Sequence, residues 1–524
     1  MKSNKLICFM LVIYGGISSS IYAEETASEM VDNNSVLSGN SLTLLDAAKM
    51  AVANSPDIKR QSLNLDTAKA SERIQTGTFD FNTRVTVGYH NDRMAIGNPP
   101  YNSYVVRDDR DYQNSEAGIS KFFRSGVTAD LSVSMNRMDP RDVPPPPPPI
   151  HTDNTTTVTF TLNIPLLKGR GYVSAAADEA AARLEREATG LEVQQFIASI
   201  LLDAVGNYWE YKNAIETLKV HERSVQRVSD WIAMGKVSGR LEGYLSDKKR
   251  KVVAARDAVN TAKSNLASSL GIPANQVDNL GEPVSEFPLD WESVLAQFEQ
   301  QARKNKWLSR ALAQRLDLQA AKLRQQASET LVAKARRNSL PSLDLNLSLG
   351  YNGYEAGEGA DKYFDSLYGH VQGANSGASL TLSYPLGNNA AKGVLDLNRA
   401  LDQQNKIAVD ELVRQISLEI GISASNVVGS LSSAVESAKT AESYYGSLQQ
   451  LTENKEFINN PDKIFNIVDL EDKLITALLD HYNSLNELAK TIANVRYQTG
   501  TLIVPSSDTA YEVKLEDLIS LLDE

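Results

Sequence analysis

The chain has 524 residues, of which 42% are hydrophobic and 23% charged, and its formal net charge is −12. That length exceeds one ordinary domain, and the acidic balance argues against nucleic acid as a partner. Its single cysteine, Cys8, excludes disulfides, thiolate metal sites and cysteine catalysis from everything that follows it.

Cys8 lies in an N-terminal segment with Lys2 and Lys5, an apolar run from Leu6 to Ile13, and the end Ile21-Tyr22-Ala23. This pattern predicts a secretory signal peptide over 1–23, cleaved after Ala23. The apolar run is too short for a retained spanning helix, and no later stretch reaches the roughly 18–20 apolar residues such a helix needs. Residues 24–40 are polar. A helix with a Ser or Thr cap starts near Ser41, is interrupted at Pro56 and continues to about Thr76. Residues 81–91 alternate as a strand, and 92–113 are so charged that they read as a loop. Two further alternating stretches, Ser115–Phe123 and Val127–Met135, joined by Arg124-Ser125-Gly126, predict a hairpin. Pro144 to Pro149 form a polyproline run, read here as a stiff loop tip rather than as a ligand for proline-binding modules.

The stretch Phe160-Thr161-Leu162-Asn163-Ile164-Pro165-Leu166 has an echo in Leu380-Thr381-Leu382-Ser383-Tyr384-Pro385-Leu386. In both, a period-2 alternation ends at a proline and a long Ala- and charge-rich run follows. This predicts a strand passing directly into a long helix, twice, because proline closes a ladder and also tolerates the first helical turn. The first long helix runs to about Ala233, with the stripe Leu184, Leu191, Ala198, Val205, Tyr211, Leu218, Val225, Ile232. Such a near-heptad stripe predicts coiled-coil packing. A glycine-rich break at 234–243 precedes a helix over Leu245–Leu270, and residues 274–290 read as a linker. The second half follows the same plan. It predicts a helix from Trp291 to about Asn338, a strand over Leu343–Tyr351, a Gly-rich loop over 352–377, a strand over Ala378–Tyr384, a helix from about Val394 to Glu456, a break at Asn459-Asn460-Pro461, and a helix from Phe465 to Thr499. The organisation is therefore an internal duplication: a first repeat over 24–290 (strands 81–165, long helices 166–270) and a second over 291–524 (strands 342–385, long helices 390–499, a short acidic end).

The helices are too long for a compact globular core. Strands that meet lipid cannot keep free edges, so they close into barrels, and the few strands of one chain close a wide barrel only with other copies. The expected object is an oligomeric duct. Its class is α+β membrane protein, with a transmembrane β-barrel continued by a long α-helical coiled-coil barrel. The aromatic residues Tyr89, Phe122, Phe123, Tyr351, Tyr354 and Tyr384 fit a membrane girdle. The competing readings are a soluble periplasmic coiled-coil scaffold and an autonomous porin. The five histidines have no metal-ligand spacing, and no nucleophile elbow or phosphate loop occurs, so neither catalysis nor a cofactor is expected.

At these residues the chain resembles the TolC-like outer membrane efflux protein family. Asn54-Ser55-Pro56-Asp57-Ile58 is similar to its Asn-Pro-acidic-Leu helix opening, and Leu340-Pro341-Ser342-Leu343 to its Leu-Pro-x-Leu strand start. Phe81 stands as far from Pro56 as Pro341 does from Leu316. Pro165-Leu166-Leu167-Lys168-Gly169-Arg170-Gly171 and Gln498-Thr499-Gly500-Thr501-Leu502 resemble further family motifs. The resemblance implies a homotrimer in the outer membrane of a Gram-negative bacterium, with four barrel strands per chain, a helical periplasmic barrel and an equatorial belt. It also implies work with a periplasmic adaptor and an inner membrane transporter, in efflux or type I secretion. The hairpin over 115–135 either raises the count to six strands or, the favoured reading, elaborates a four-strand plan. Asp469 and Asp472, i and i+3 on one helix face, resemble the aspartates of the family's closed periplasmic entrance, and Ser246 with Asp247 occupies the matching place in the first half. Stacked acidic rings in a trimer favour cations. The family's arginine before these aspartates is replaced by Phe465, with Lys463 nearby. Lys236, Arg240, Asn460 and Lys463 become candidate adaptor contacts at the tips, and Pro165 and Pro385 the junctions between barrel and cylinder.

Overall fold

The computed structural model describes residues 41–97, 105–142, 151–234, 239–287, 300–371, 373–453, 464–505 and 511–512. The expected signal peptide, the polyproline run, and Lys236, Asn460 and Lys463 lie outside them. Arg240 falls in the first turn of a helix, but its side chain is not among those described.

Strand β1 (Ser41–Leu42) leads into helix α1 (Leu44–Asn54), capped by Thr43, whose hydroxyl accepts from the Asp46 N–H at 3.1 Å. At Ser55 the backbone turns extended (φ −58, ψ 117), and Ser55 caps α2 (Pro56–Gly77) with proline at its first turn. The second half makes the same break without proline. The helix expected over 291–338 is two helices, α6 (Gln300–Gln314) and α7 (Leu316–Asn338), with Arg315 extended between them (φ −61, ψ 122). A neutral side-chain cap at Ser55 is replaced here by a buried guanidinium that reaches Asp317 at 2.7 Å, Glu419 at 2.6 Å and Gln498 at 2.8 Å. No turn residue signals that break, because a long-range ion-pair network supports it.

Each break is faced by a glycine from the helix that returns toward it. Gly271 (φ 67) brings its Cα so near Asn54 that an added Cβ would lie 3.0 Å from that residue's carbonyl oxygen. Gly500 (φ 71) would place one 2.9 Å from the Gln314 carbonyl and the Arg315 nitrogen. The duplication is therefore visible as two equivalent close approaches.

The sheet strands are β2 (Phe81–Gly97), β3 (Val105–Phe122), β4 (Thr128–Asp142), β5 (Asp153–Pro165), β7 (Ser342–Ala356) and β8 (Ala374–Ser383). They form one antiparallel sheet in the order β2-β3-β4-β5-β7-β8. Two sequence expectations are corrected. The hairpin over 115–135 is not an elaboration of a four-strand plan, since its strands are full members of a six-stranded sheet. Residues 92–113 are not a loop up to their ends: β2 and β3 continue into them as a paired ladder. The charges that suggested a loop are complementary across that ladder, with Asp92 opposite Arg110 and Arg93 opposite Asp109. Within 352–377, β7 runs to Ala356 and a short helix, α8 (Ala360–Asp365), precedes β8.

The strand-to-helix junctions are less direct than expected. After Pro165, which still pairs with Asp344, the chain makes a turn with positive φ at Gly169 and Gly171 before α3 (Tyr172–Ala175) and α4 (Ala177–Met234). After Pro385, Gly387 and Asn388 take positive φ before α9 (Asn389–Glu453). The remaining helices are α5 (Gly239–Ser269) and α10 (Ile464–Gln498); a 3-10 turn over Ala274–Asn279 and strand β6 (Glu282–Pro283), parallel to β1, fill the expected linker. Two-residue strands β9 (Val504–Pro505) and β10 (Tyr511–Glu512) pair near the end.

With 58 and 65 residues, α4 and α9 span about 90 and 100 Å. The helices lie side by side. α4 packs against α1, α2 and α5 on one flank and against α7 and α10 on the other, and α9 packs on the far side of α6, α7 and α10. The heptad stripe on α4 is buried at Ala198, Val205 and Tyr211 and half-buried at its other positions, while Leu201, Tyr208, Ile215 and Val228 are more deeply covered. A single seam was too narrow an expectation for a helix with neighbours on two flanks. The main core lies where the two helix breaks meet α4, around Trp209, Trp307 and Leu318, and a second cluster with Val228, Trp231, Ile467 and Leu474 sits toward the far helix ends.

Replacing Gly271 or Gly500 by alanine is expected to destabilise the protein by about 1–2 kcal/mol for the left-handed backbone alone. Gly206→Ala, in mid-helix with open space at the Cβ position, gains helix propensity instead. Thermal unfolding midpoints of the three variants in detergent check the contrast.

Candidate functional site

The sheet register sorts every strand into two faces. Across the six strands in order, the positions Phe81, Lys121, Ala129, Leu162, Leu347 and Ala378 form one row; Thr83, Ile119, Leu131, Phe160, Leu349 and Ser376 form the next on that face; and Val85, Ala117, Val133, Val158, Tyr351 and Ala374 the third. The rows between them point the other way. Asn82, Ser120, Asp130, Thr161, Ser348 and Gly377 form one, and Arg84, Gly118, Ser132, Thr159, Gly350 and Asn375 another. In these rows one face is thus almost wholly apolar and the other polar or glycine, because successive side chains alternate across a strand.

The apolar face is bare: Val85 and Val87 are 77% and 78% exposed, and Leu380 and Leu382 are exposed as well. Exposed apolar surface of this extent marks a lipid or protein contact. On the polar face Arg84 pairs with Glu116, and the Asn163 amide donates to Asn346 at 2.7 Å. Of the expected girdle, Tyr89 and Tyr351 lie on the apolar face, and Phe123 and Tyr384 are exposed beyond strand ends. Phe122 and Tyr354 do not belong to it. They stand on the polar face, where Phe122 stacks on Phe79 at 5.7 Å and the Tyr354 hydroxyl donates to Asp153 at 2.6 Å.

At the opposite end of the molecule, the first turns of α10 carry the expected acidic residues. Asp469 is exposed and pairs with Lys473 one turn on, at 2.9 Å. Asp472 is half-exposed and is tied across to α5, where it accepts from the Tyr244 hydroxyl at 3.0 Å and pairs with the ammonium of Lys248, itself buried. The structure thus brings Asp472 against the helix that carries Ser246 and Asp247. Asp247 is held by Arg250 at 2.7 Å and Lys251 at 3.5 Å, both of its own helix, and its carboxyl lies below the ordinary range because of the Arg250 hydrogen bond; Ser246 is exposed. Burial, then the Asp472 carboxylate, push the Tyr244 phenol far upward, so it stays a donor.

Between the two aspartates lies Glu471, fully buried and gripped by Arg227 of α4 in a fork, with contacts at 2.7 and 2.9 Å. Sequence reasoning missed Arg227, Glu471, Tyr244 and Lys248. Lys248 stands in the run Asp247-Lys248-Lys249-Arg250, which reads as solvated charge, and nothing in helical spacing says which lysine turns inward. Two histidines on these helices are held neutral. Burial first, then Lys251 and Lys248, lower the His221 imidazole, and burial lowers His481.

The family to which the sequence gives a match is described as outer membrane efflux protein, over residues 307–406. A search of curated proteins finds no match. Among solved structures, the CmeC outer membrane channel of Campylobacter jejuni shares 14% identity, with a TM-score of 0.58 over 87% of this chain and 85% of that one. VceC of Vibrio cholerae shares 13%, with a TM-score of 0.56 over 87% and 96%. MtrE of Neisseria gonorrhoeae, solved in an open state, shares 13%, with a TM-score of 0.56 over 87% and 88%. The fold is therefore that of the outer membrane channels. The family match spans 307–406, within the region that shares this fold, so the chain is similar to outer membrane efflux proteins in fold and over that stretch of sequence.

Arg227→Leu leaves Glu471 buried without its partner and is expected to cost about 3 kcal/mol, the low end of the range because Arg227 is partly exposed. Adding Glu471→Leu should restore most of that loss, which thermal unfolding of the single and double variants measures. The lowered histidines give the pH dependence a sign. Their folded-state pKa lies below the ordinary value of about 6.5, so the unfolded chain binds more protons as pH falls. Their contribution is complete above that value and is lost as pH drops through it, so an unfolding midpoint that rises on acidification below 6.5 contradicts it. His221→Gln with His481→Gln should flatten the slope.

Proposed function

We propose that the protein is the outer membrane exit duct of a tripartite efflux or type I secretion system. The observation that carries this reading is the continuous apolar face over six strands, backed by a polar face, in a sheet whose end strands are β2 and β8. A sheet in lipid leaves no backbone edge unpaired, so β2 of one copy pairs with β8 of the next. That contact is heterologous and closes into a ring. With the trimer that the family resemblance implies, three six-stranded sheets make an eighteen-stranded wall, in the range that encloses an aqueous channel. The helical layer has matching open flanks. Leu63 and Ile74 of α2 are exposed on one, and Leu397, Leu401, Leu418 and Ile422 of α9 on the other. Copies joined along them continue the barrel as a helical cylinder.

In this reading Pro165 and Pro385 mark the passage from barrel to cylinder, and substrates leave passively through the polar lumen. Asp469, Asp472, Asp247 and Ser246 surround the periplasmic entrance. The closed state is supported by the link from Tyr244 and Lys248 to Asp472, which stands where the family's arginine is missing. The helix tips with Lys236, Arg240, Asn460 and Lys463 face a periplasmic adaptor, which couples the duct to an inner membrane transporter.

Sucrose-gradient fractionation tests the location, since a soluble scaffold stays in the periplasmic fraction. For the gate, Asp469→Ala with Asp472→Ala, and separately Tyr244→Phe, are expected to raise single-channel conductance in planar bilayers several-fold. Unchanged conductance and ion selectivity in both variants removes the gate assignment. A wild-type channel that is fully open without an adaptor supports the autonomous porin instead.

A further inference from the structure

The segment around α8 does not extend away from the sheet but folds back onto its apolar face. The Ser366 hydroxyl shares a 2.7 Å hydrogen bond with Thr156, both fully buried, and the Tyr363 hydroxyl donates to the Met135 carbonyl at 2.9 Å. Thr156 and Met135 belong to the apolar face, one step beyond the row that contains Val133, Val158 and Tyr351. Gly353, in the same row as Thr156, has no room for a Cβ, which would meet the Ser366 carbonyl at 1.9 Å. This seat is specific to the segment, and it lies at the border of the bare apolar band, on the end away from the long helices.

The groups that α8 turns away from the sheet are apolar and uncovered. Phe364 is 63% and Tyr368 72% exposed, with Leu367 and Val371 beside them. The nearby charges are matched locally. Lys362 pairs with Glu355 at 3.0 Å, and Asp365 accepts from the Tyr368 hydroxyl at 2.7 Å. An aromatic and aliphatic edge beside hydroxyl and charged groups has the chemistry of a membrane interface, where amphipathic rings sit at headgroup level. α8 packs on β4, β5 and β7, so this edge is continuous with the bare apolar band.

We propose that residues 360–371 form an interfacial anchor. The segment lies on the outside of the barrel wall, and Phe364, Leu367 and Tyr368 dip into the headgroup–acyl boundary of the outer leaflet. The anchor fixes the depth and tilt of the barrel in the membrane, a task that the bare band alone leaves free to slide. It rests on the barrel reading given above.

The test is nitroxide labelling of the full chain with Cys8 replaced by Ser, reconstituted in nanodiscs of phosphatidylethanolamine and phosphatidylglycerol. Labels are placed by Phe364→Cys, Tyr368→Cys, Val87→Cys on the bare apolar face, and Asp66→Cys as the aqueous reference. Collision with oxygen is compared with collision with a water-soluble nickel chelate. The expected oxygen-to-nickel ratio at 364 and 368 is several-fold above that at 66 and below that at 87. Ratios at 364 and 368 equal to that at 66 overturn the anchor while a high ratio at 87 keeps the barrel. Exclusion of both colliders at 364 and 368 also overturns it, because it shows a protein partner. A ratio at 87 no higher than at 66 overturns the barrel reading itself.

Discussion

The structure depends on one constraint, the pairing of backbone N–H and C=O groups along a sheet of long strands. Six antiparallel strands satisfy it within the sheet, with one irregularity in the β3–β4 ladder at Asp109/Arg110, and the register gathers most of the apolar side chains of the central rows on one face. A slip of one residue in any ladder would turn that strand inside out. The long strands β2 and β3 hold their register beyond the apolar band by placing opposite charges across from one another, Asp92 with Arg110 and Arg93 with Asp109. Polar sequence at the strand ends is therefore part of the wall.

The helical half solves a different problem. Two copies of one plan must bend at the same level to join the long helices to the sheet. Each copy does so with one extended residue, Ser55 or Arg315, and one left-handed glycine, Gly271 or Gly500, pressed against it. In the first copy the Ser55 hydroxyl accepts from a helix-start N–H; in the second the Asp317 carboxylate accepts from the Leu318 N–H at 2.8 Å, while the Arg315 guanidinium ties the break to Asp317, Glu419 and Gln498. The geometry is alike in the two halves while the chemistry that supports it differs. The far helix ends carry a core of their own, around Trp231 and Ile467, with the buried pair Arg227–Glu471 beside it. A small separate core with buried charge can rearrange without disturbing the main one.

Much of this was legible beforehand because it is local. Period-2 alternation marked β5 and β8, the proline and glycine signals marked the helix breaks of the first half, and the echo of Pro165 in Pro385 revealed the duplication. Where legibility failed, the cause was non-local. Residues 92–113 read as a loop because charge opposes strand propensity in isolation, and only the facing strand makes those charges complementary. The break at Arg315 has no turn residue, and its determinants are Glu419 and Gln498, far along the chain. Asp472 was recognisable from its surroundings, whereas Tyr244 and Lys248, which hold it, lie on another helix.

By itself, then, the sequence determined most element types, the similar order of elements in the two halves, the absence of any thiol after Cys8 and the amphipathic alternation of the central strands. Periodicity and special backbone residues act over a few positions, so they survive without any knowledge of the fold. Only the tertiary structure decided that six strands rather than four share one sheet, that α8 returns to its apolar face, and that Glu471 rather than Asp469 is the carboxylate buried between helices. Those outcomes depend on which surfaces meet across hundreds of residues. Hydrogen-bond pairing, burial and charge matching are properties of two surfaces together, and no single stretch of chain contains both.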